Sequence, residues 1–273
     1  MKKRKMIWDV LYPTVFMLLA VLAVTMAVSV IAGLFTGNYD INSDELHAVP
    51  LLASAVFYVV VLISQRRQFQ LDEMRFGPDR KRPEAAVLLP AVLVTMCAAD
   101  LLENIIAGLH LYELFPQYET VAVQAFRGQN LPLLILTTVI LAPPAEELMF
   151  RGMTYRRAKS WFGPKRAALI SAALFGLYHM NVIQFLFGFF IAVLFAWIYE
   201  HTETLLVPVC CHAAANAWEL ILEYGIDQPG RLTGRGRGIL LTAEALICAA
   251  GLLFLYRQFA KKRAEENPKN GYM

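Results

Sequence analysis

Charge is scarce in this chain. Of its 273 residues only 17% are Asp, Glu, Lys or Arg, against about a quarter in a water-soluble domain. With 58% apolar residues, such a composition needs lipid over much of its surface, which excludes a soluble cytosolic enzyme. A Gly-X-Y period and long heptads are also lacking, so collagen and coiled coil are excluded, and the apolar runs exclude disorder. The net charge of +3 is too small to point to nucleic acid. Cys97, Cys210, Cys211 and Cys248 sit in apolar stretches without Cys-x-x-Cys spacing and read as buried free thiols. No Gly-x-Ser-x-Gly and no His-Glu-x-x-His occurs.

What is present is a succession of apolar runs. Eight spans are expected, at about 10–35, 48–64, 85–109, 131–150, 164–180, 182–199, 204–222 and 238–257, each near the ~20 residues of a bilayer core. The first follows Met1-Lys-Lys-Arg-Lys but is too long for a signal peptide and has no Ala-x-Ala site, so it reads as a retained helix. With the amino terminus inside, 21 of the 25 Lys and Arg fall in inner segments, leaving Arg127, Arg231, Arg235 and Arg237 outside. The positive-inside rule then predicts an all-α polytopic membrane protein of about eight transmembrane helices with both termini cytoplasmic. The loops at 65–84, 110–130 and 223–237 are too short to fold alone, so residues 1–273 form one transmembrane domain. The charged tail after Tyr256 is expected to fray.

Ionisable residues at membrane depth are costly and therefore informative. Asp100, Glu103 and Asn104 share one helix face and read as a polar stripe that pairs with neighbouring helices or lines a cavity, with a catalytic role as the lesser alternative. Glu219 and Glu244 read as single groups near the interface. A larger set comprises Glu146, Glu147 and Arg151, then His179, then His212 and Asn216, on three different spans. Pro143-Pro144 precedes the glutamates, so the span is expected to break there and restart, with both carboxylates in a first turn favoured by the helix dipole. Glu147 and Arg151, at i and i+4, form the economical ion pair, which leaves Glu146 for a cavity. At 1.5 Å per residue, Glu146 lies about 16 Å above Arg157 and His179 about 20 Å above Arg166. By the same count His212 and Asn216 lie about 14 and 20 Å above Glu203, so all four can meet near mid-membrane.

A carboxylate sharing a water with a histidine can act as general base, and two neutral donors opposite can stabilise a carbonyl oxyanion. That is an amide-hydrolysis set. Cys211 points away from His212 on its helix, which disfavours covalent catalysis. Glu146, His179 and His212 are also a possible zinc set, although no cofactor is expected.

Glu146-Glu147-Leu-Met-Phe-Arg151 after proline, Phe175-Gly-Leu-Tyr-His179, and His212-Ala-Ala-Ala-Asn216 resemble, in order and spacing, the three motifs of the CPBP family. This family comprises type II CAAX prenyl endopeptidases and bacteriocin-processing or immunity homologues, also called the Abi family. The likeness covers about residues 130–222, the motif-bearing protease core. It implies an eight-span intramembrane glutamic endopeptidase in which Glu146 and His179 activate water. His212 and Asn216 would form the oxyanion hole, and Glu147 with Arg151 would hold the site in shape.

The expected partners are membrane lipid and a peptide or membrane-protein substrate, either lipidated (CAAX-type) or a leader peptide, and no nucleic acid. The expected location is a bacterial plasma membrane. Competing readings are a non-proteolytic immunity or scaffold protein, a zinc-dependent version of the protease, and a small-solute transporter. The last lacks paired halves with matching broken helices.

Overall fold

The structure, a computed structural model, describes residues 2–39, 46–79, 82–116, 118, 130–226 and 234–266. Among them all regular structure is helical: α1 (Lys2–Thr36), α2 (Val49–Ser64), α3 (Arg66–Phe76), α4 (Ala85–Gly108), α5 (Leu131–Phe162), α6 (Pro164–Tyr178), α7 (Val182–Thr202), α8 (Leu206–Ile221) and α9 (Arg235–Glu266). A single turn at Leu111–Leu114 follows α4. The protein is thus an all-α, polytopic membrane protein.

Each expected span coincides largely with one of these helices and runs at most two residues past its end. By length and composition, five of the described helices can cross a membrane (α1, α4, α5, α7 and α9), and α2 with α3, bent by 46°, make a sixth candidate. The expected eight differ from this count because α6 and α8, at 15 and 16 residues, fall short of the ~20 residues of a full crossing. Arg80, Lys81, Arg127, Arg231 and Lys269, which entered the charge asymmetry, lie outside the described residues. Residues 257–266 of the tail expected to fray are helical, since α9 runs on to Glu266 with Arg263 in its last turn, where a cation complements the helix dipole; the rest of that tail lies outside the described residues.

The expected break at Pro143-Pro144 is absent, because α5 runs unbroken for 32 residues. Two π-helical stretches, Leu136–Leu141 and Leu148–Tyr155, flank the segment Ala142–Glu147. Proline in a regular α-helix removes an N–H and crowds the carbonyl four residues back, and a wider π turn relieves the crowding without ending the helix. The Ala142 amide accordingly bonds back five residues, to the Thr137 carbonyl. Glu146 and Glu147 therefore lie mid-helix, and neighbouring side chains rather than a helix end must stabilise them.

Half of the apolar window of α5 is buried, against 6% in α1 and 11% in α9, so α5 is central and the two long terminal helices are peripheral. One core cluster joins Met17, Phe57 and Val61 to Ala145, Met149 and Phe150 of α5 and to Phe175 and Ala192. Another joins Val94 and Ala99 of α4 to Phe195, Val207, Cys211 and Leu255. Helices α6 and α7 form a tight hairpin. A Cβ on Gly176 would lie 2.8 Å from both the Phe185 carbonyl oxygen and its ring, so only glycine permits this approach. Met180 takes a left-handed φ of 53° at the turn, and the Asn181 side chain accepts from the Ile183 and Gln184 amides to start α7.

At the basic end, Arg157 Nε donates to Asp72 Oδ2 at 2.7 Å, and the Arg156 guanidinium donates to the Gly77 carbonyl. Asp79 accepts from the Leu205 amide at 3.0 Å and from the Tyr199 hydroxyl at 3.1 Å. These contacts fasten α3 and the following segment to α5, α7 and the start of α8. Burial pushes the Asp79 carboxyl above the ordinary aspartate range, opposed by the Leu205 amide and the Tyr199 hydroxyl.

Candidate active site

A cavity of about 620 Å³ opens between α4, α5, α6, α7 and α8. Glu146, His179, His212 and Asn216 line it, along with Thr138, Phe175, Phe195, Glu103, Tyr112, Tyr118, Glu219 and Glu223. No lysine or arginine lines it among the described residues.

Glu146 is buried, with its Oε1 accepting from the Tyr58 hydroxyl at 2.8 Å and its Oε2 3.7 Å from His212 Nε2. Glu147 lies behind it, away from the cavity. Its Oε1 accepts from Arg151 Nη1 and from His212 Nδ1, both at 2.9 Å. Arg151 is fully buried, donates from Nη2 to the Ala192 carbonyl at 3.1 Å, and sits 4.9 and 5.1 Å from the Phe175 and Phe195 ring centroids. Glu147 and Arg151 thus tie α5 to α7 and α8 beneath the cavity floor.

Hydrogen-bond partners fix the histidine tautomers. His179 Nδ1 is 2.9 Å from the Phe175 carbonyl, which only accepts, so Nδ1 holds the hydrogen and the neutral ring offers an Nε2 lone pair. His212 Nδ1 likewise donates to the Glu147 carboxylate. A neutral His212 then has no hydrogen on Nε2, so it can donate from that atom only as an imidazolium. Of the two expected donors, only Asn216 can therefore donate in its neutral form.

Asn216 is anchored by a defect in α5. Its Nδ2 donates to the Thr138 carbonyl at 2.8 Å. The π register sends the Ala142 amide to Thr137, and Pro143, next in line for Thr138, has no N–H. The Thr138 carbonyl is thereby left for Asn216, and the second Nδ2 hydrogen remains for a ligand.

The acids expected to stand alone do not. Glu219 lines the same cavity, and Glu244 is 3% exposed on α9, which packs along α4. On α4, Asp100 Oδ1 accepts from Arg237 Nη2 at 2.6 Å and from Asn104 Nδ2 at 3.0 Å, while Glu103 accepts from the Tyr112 hydroxyl and lines the cavity. The four cysteines are free; Cys97 and Cys211 are buried, while Cys210 and Cys248 are half-buried. Sequence reasoning missed Tyr58, Thr138 and Glu219 as parts of the site. A hydroxyl within the apolar run Val49–Ser64 was the only signal for Tyr58.

Among the described residues no three His, Cys, Asp or Glu side chains converge as metal ligands do, so Glu146, His179 and His212 are not gathered as a zinc set here. The contact of His212 Nδ1 with Glu147 leaves the Nε2 lone pair and argues neither for nor against an ion.

Residues 128–218 match the family described as type II CAAX prenyl endopeptidase Rce1-like. That match takes in about a third of the chain, and the segment carries Glu146, Glu147, Arg151, His179, His212 and Asn216. A protein of Bacillus subtilis (strain 168), the candidate membrane peptidase YdiL, is 30% identical over 99 residues, which are 35% of this chain and 39% of that one. The match thus spans well under half of the relative's length. No solved structure matches the chain.

Proposed function

We propose that the protein is an intramembrane endopeptidase that hydrolyses a peptide bond without a metal. One observation carries the reading: Glu146, His179, His212 and Asn216 line a single cavity within the segment that matches the prenyl endopeptidase family. In the proposed reaction a water is held between Glu146 and the lone pair on His179 Nε2. Glu146 takes one water proton as the oxygen attacks the carbonyl carbon. The oxyanion accepts a hydrogen bond from the free Asn216 Nδ2 hydrogen and, when His212 carries a hydrogen on both ring nitrogens, a second one from its Nε2. Glu146 then gives the proton to the leaving amine, so that peptide and water become acid and amine. Glu147 and Arg151 hold His212 in place throughout.

The substrate is a peptide or membrane protein, either a lipidated CAAX-type chain or a leader peptide. The protein acts in a bacterial plasma membrane, a setting supported by the bacterial relative. The test is comparative proteomics of membrane peptides from cells with wild-type and Glu146→Ala protein. New termini that depend on Glu146 support the reading. A cellular phenotype that survives Glu146→Gln points instead to a non-proteolytic immunity or scaffold protein. Cleavage lost with chelator and restored by zinc would overturn the metal-free mechanism.

A further inference from the structure

Glu146 is held from one side by a residue that none of the three motifs contains. Tyr58 stands on α2, 88 positions away in sequence and outside the matched segment 128–218, and its hydroxyl donates to Glu146 Oε1 at 2.8 Å. We propose that Tyr58 is a positioning residue that occupies Glu146 Oε1 and so makes Oε2 the atom that exchanges protons with water and the leaving amine.

This inference rests on the peptidase reading above, and three features of the fold support it. First, the ring is braced. Tyr58 packs against Phe57, with centroids 5.0 Å apart, and on the core cluster that contains Ala145 and Met149 of α5. Second, α2 packs directly on Ala142–Glu147 and on the preceding π stretch, so hydroxyl and carboxylate belong to helices in contact. Third, Tyr58 is not among the side chains lining the cavity, whereas Glu146 is, so its effect must pass through the carboxylate rather than through substrate.

The two Glu146 oxygens thus have different surroundings. Oε1 already accepts one hydrogen bond, while Oε2 faces His212 Nε2 at 3.7 Å, beyond direct hydrogen bonding. In the hydrolytic step a water O–H bond breaks, an Oε2–H bond forms, and the water oxygen bonds to the carbonyl carbon. In the second step the oxyanion re-forms the carbonyl, the C–N bond breaks, and that proton moves from Oε2 to the departing amine nitrogen. The Tyr58 hydroxyl keeps its own proton throughout. Without that donor the glutamate, with three rotatable side-chain bonds, loses the contact that selects one orientation, and misplacement of a reacting group lowers turnover more than binding.

The test uses full-length protein in detergent and an internally quenched farnesylated CAAX peptide. Tyr58→Phe is expected to lower kcat about tenfold with KM within about twofold of wild type and with unchanged unfolding behaviour. In parallel, infrared difference spectra against Glu146→Gln isolate the Glu146 carboxylate bands, which should shift in Tyr58→Phe. This second readout needs no turnover. If wild-type protein does not cleave this peptide, the CAAX-type substrate reading fails while the spectra still decide whether Tyr58 holds Glu146. Should Tyr58→Phe not fold, 3-fluorotyrosine at position 58 changes donor strength but not shape and takes the same spectral test. Unshifted carboxylate bands, an unchanged kcat, or a loss confined to KM would each overturn the proposal.

Discussion

Replacing Arg151 with Met is the sharpest probe of the buried polar floor. The guanidinium is fully buried, donates to Glu147 Oε1 at 2.9 Å and to the Ala192 carbonyl at 3.1 Å, and packs between the Phe175 and Phe195 rings. Methionine replaces much of the stem volume but none of the charge. Glu147, itself 0% exposed, would then keep only His212 as a donor. Stranding one member of a buried ion pair costs about 3–5 kcal/mol. Removing both charges in Glu147→Gln with Arg151→Met should recover about 2 kcal/mol of the summed single losses. Reversible unfolding in mixed micelles, followed by the fluorescence of the four tryptophans, measures all three variants. A loss below about 1 kcal/mol in Arg151→Met, or strict additivity in the double variant, would refute the claim that this pair holds α5 to α7 and α8.

Asn216→Ala should lower peptide cleavage by about 10²–10³ in kcat, the usual effect of removing one oxyanion donor, with unfolding shifted by only about 1 kcal/mol. Pro143→Ala restores an N–H that competes for the Thr138 carbonyl, so kcat should fall while stability changes by less than about 1 kcal/mol; steady-state kinetics beside unfolding curves check this. Asp79 titrates above the ordinary aspartate range in the folded state because of burial, so the folded state binds protons more tightly there. Its stability contribution is therefore present below about pH 4 and is lost as pH rises through the raised value. Thermal unfolding from pH 4 to 7 should show that slope in wild type and a shallower one in Asp79→Asn.

The helices were legible because apolar runs report burial in lipid directly, and each expected span matches a helix to within two residues where it overruns one. The motif residues were legible as charges that a bilayer core tolerates only with partners. Other features were illegible for particular physical reasons. Pro143-Pro144 looks like a helix start when only hydrogen-bond loss is considered, yet the π stretch at Leu136–Leu141 absorbs both prolines and leaves a carbonyl free for Asn216. Glu219 and Glu244 looked isolated because their surroundings, α4 and the cavity, come from distant parts of the chain. Tyr58 gave no signal beyond one hydroxyl, since tyrosine in a span is ordinary until its partner is known. The tautomer of His212 depends on Glu147, 65 positions earlier, and no spacing rule supplies that.

The central claim is that Glu146 is the proton-accepting group of a peptide hydrolase. The measurement that meets it most directly is cleavage of the quenched farnesylated peptide, and of a membrane-peptide library, by purified wild-type and Glu146→Gln protein of equal folded fraction. The account predicts cleavage by wild type and a loss of at least about 10³-fold in kcat/KM for Glu146→Gln. Cleavage retained in Glu146→Gln within about tenfold of wild type would contradict it.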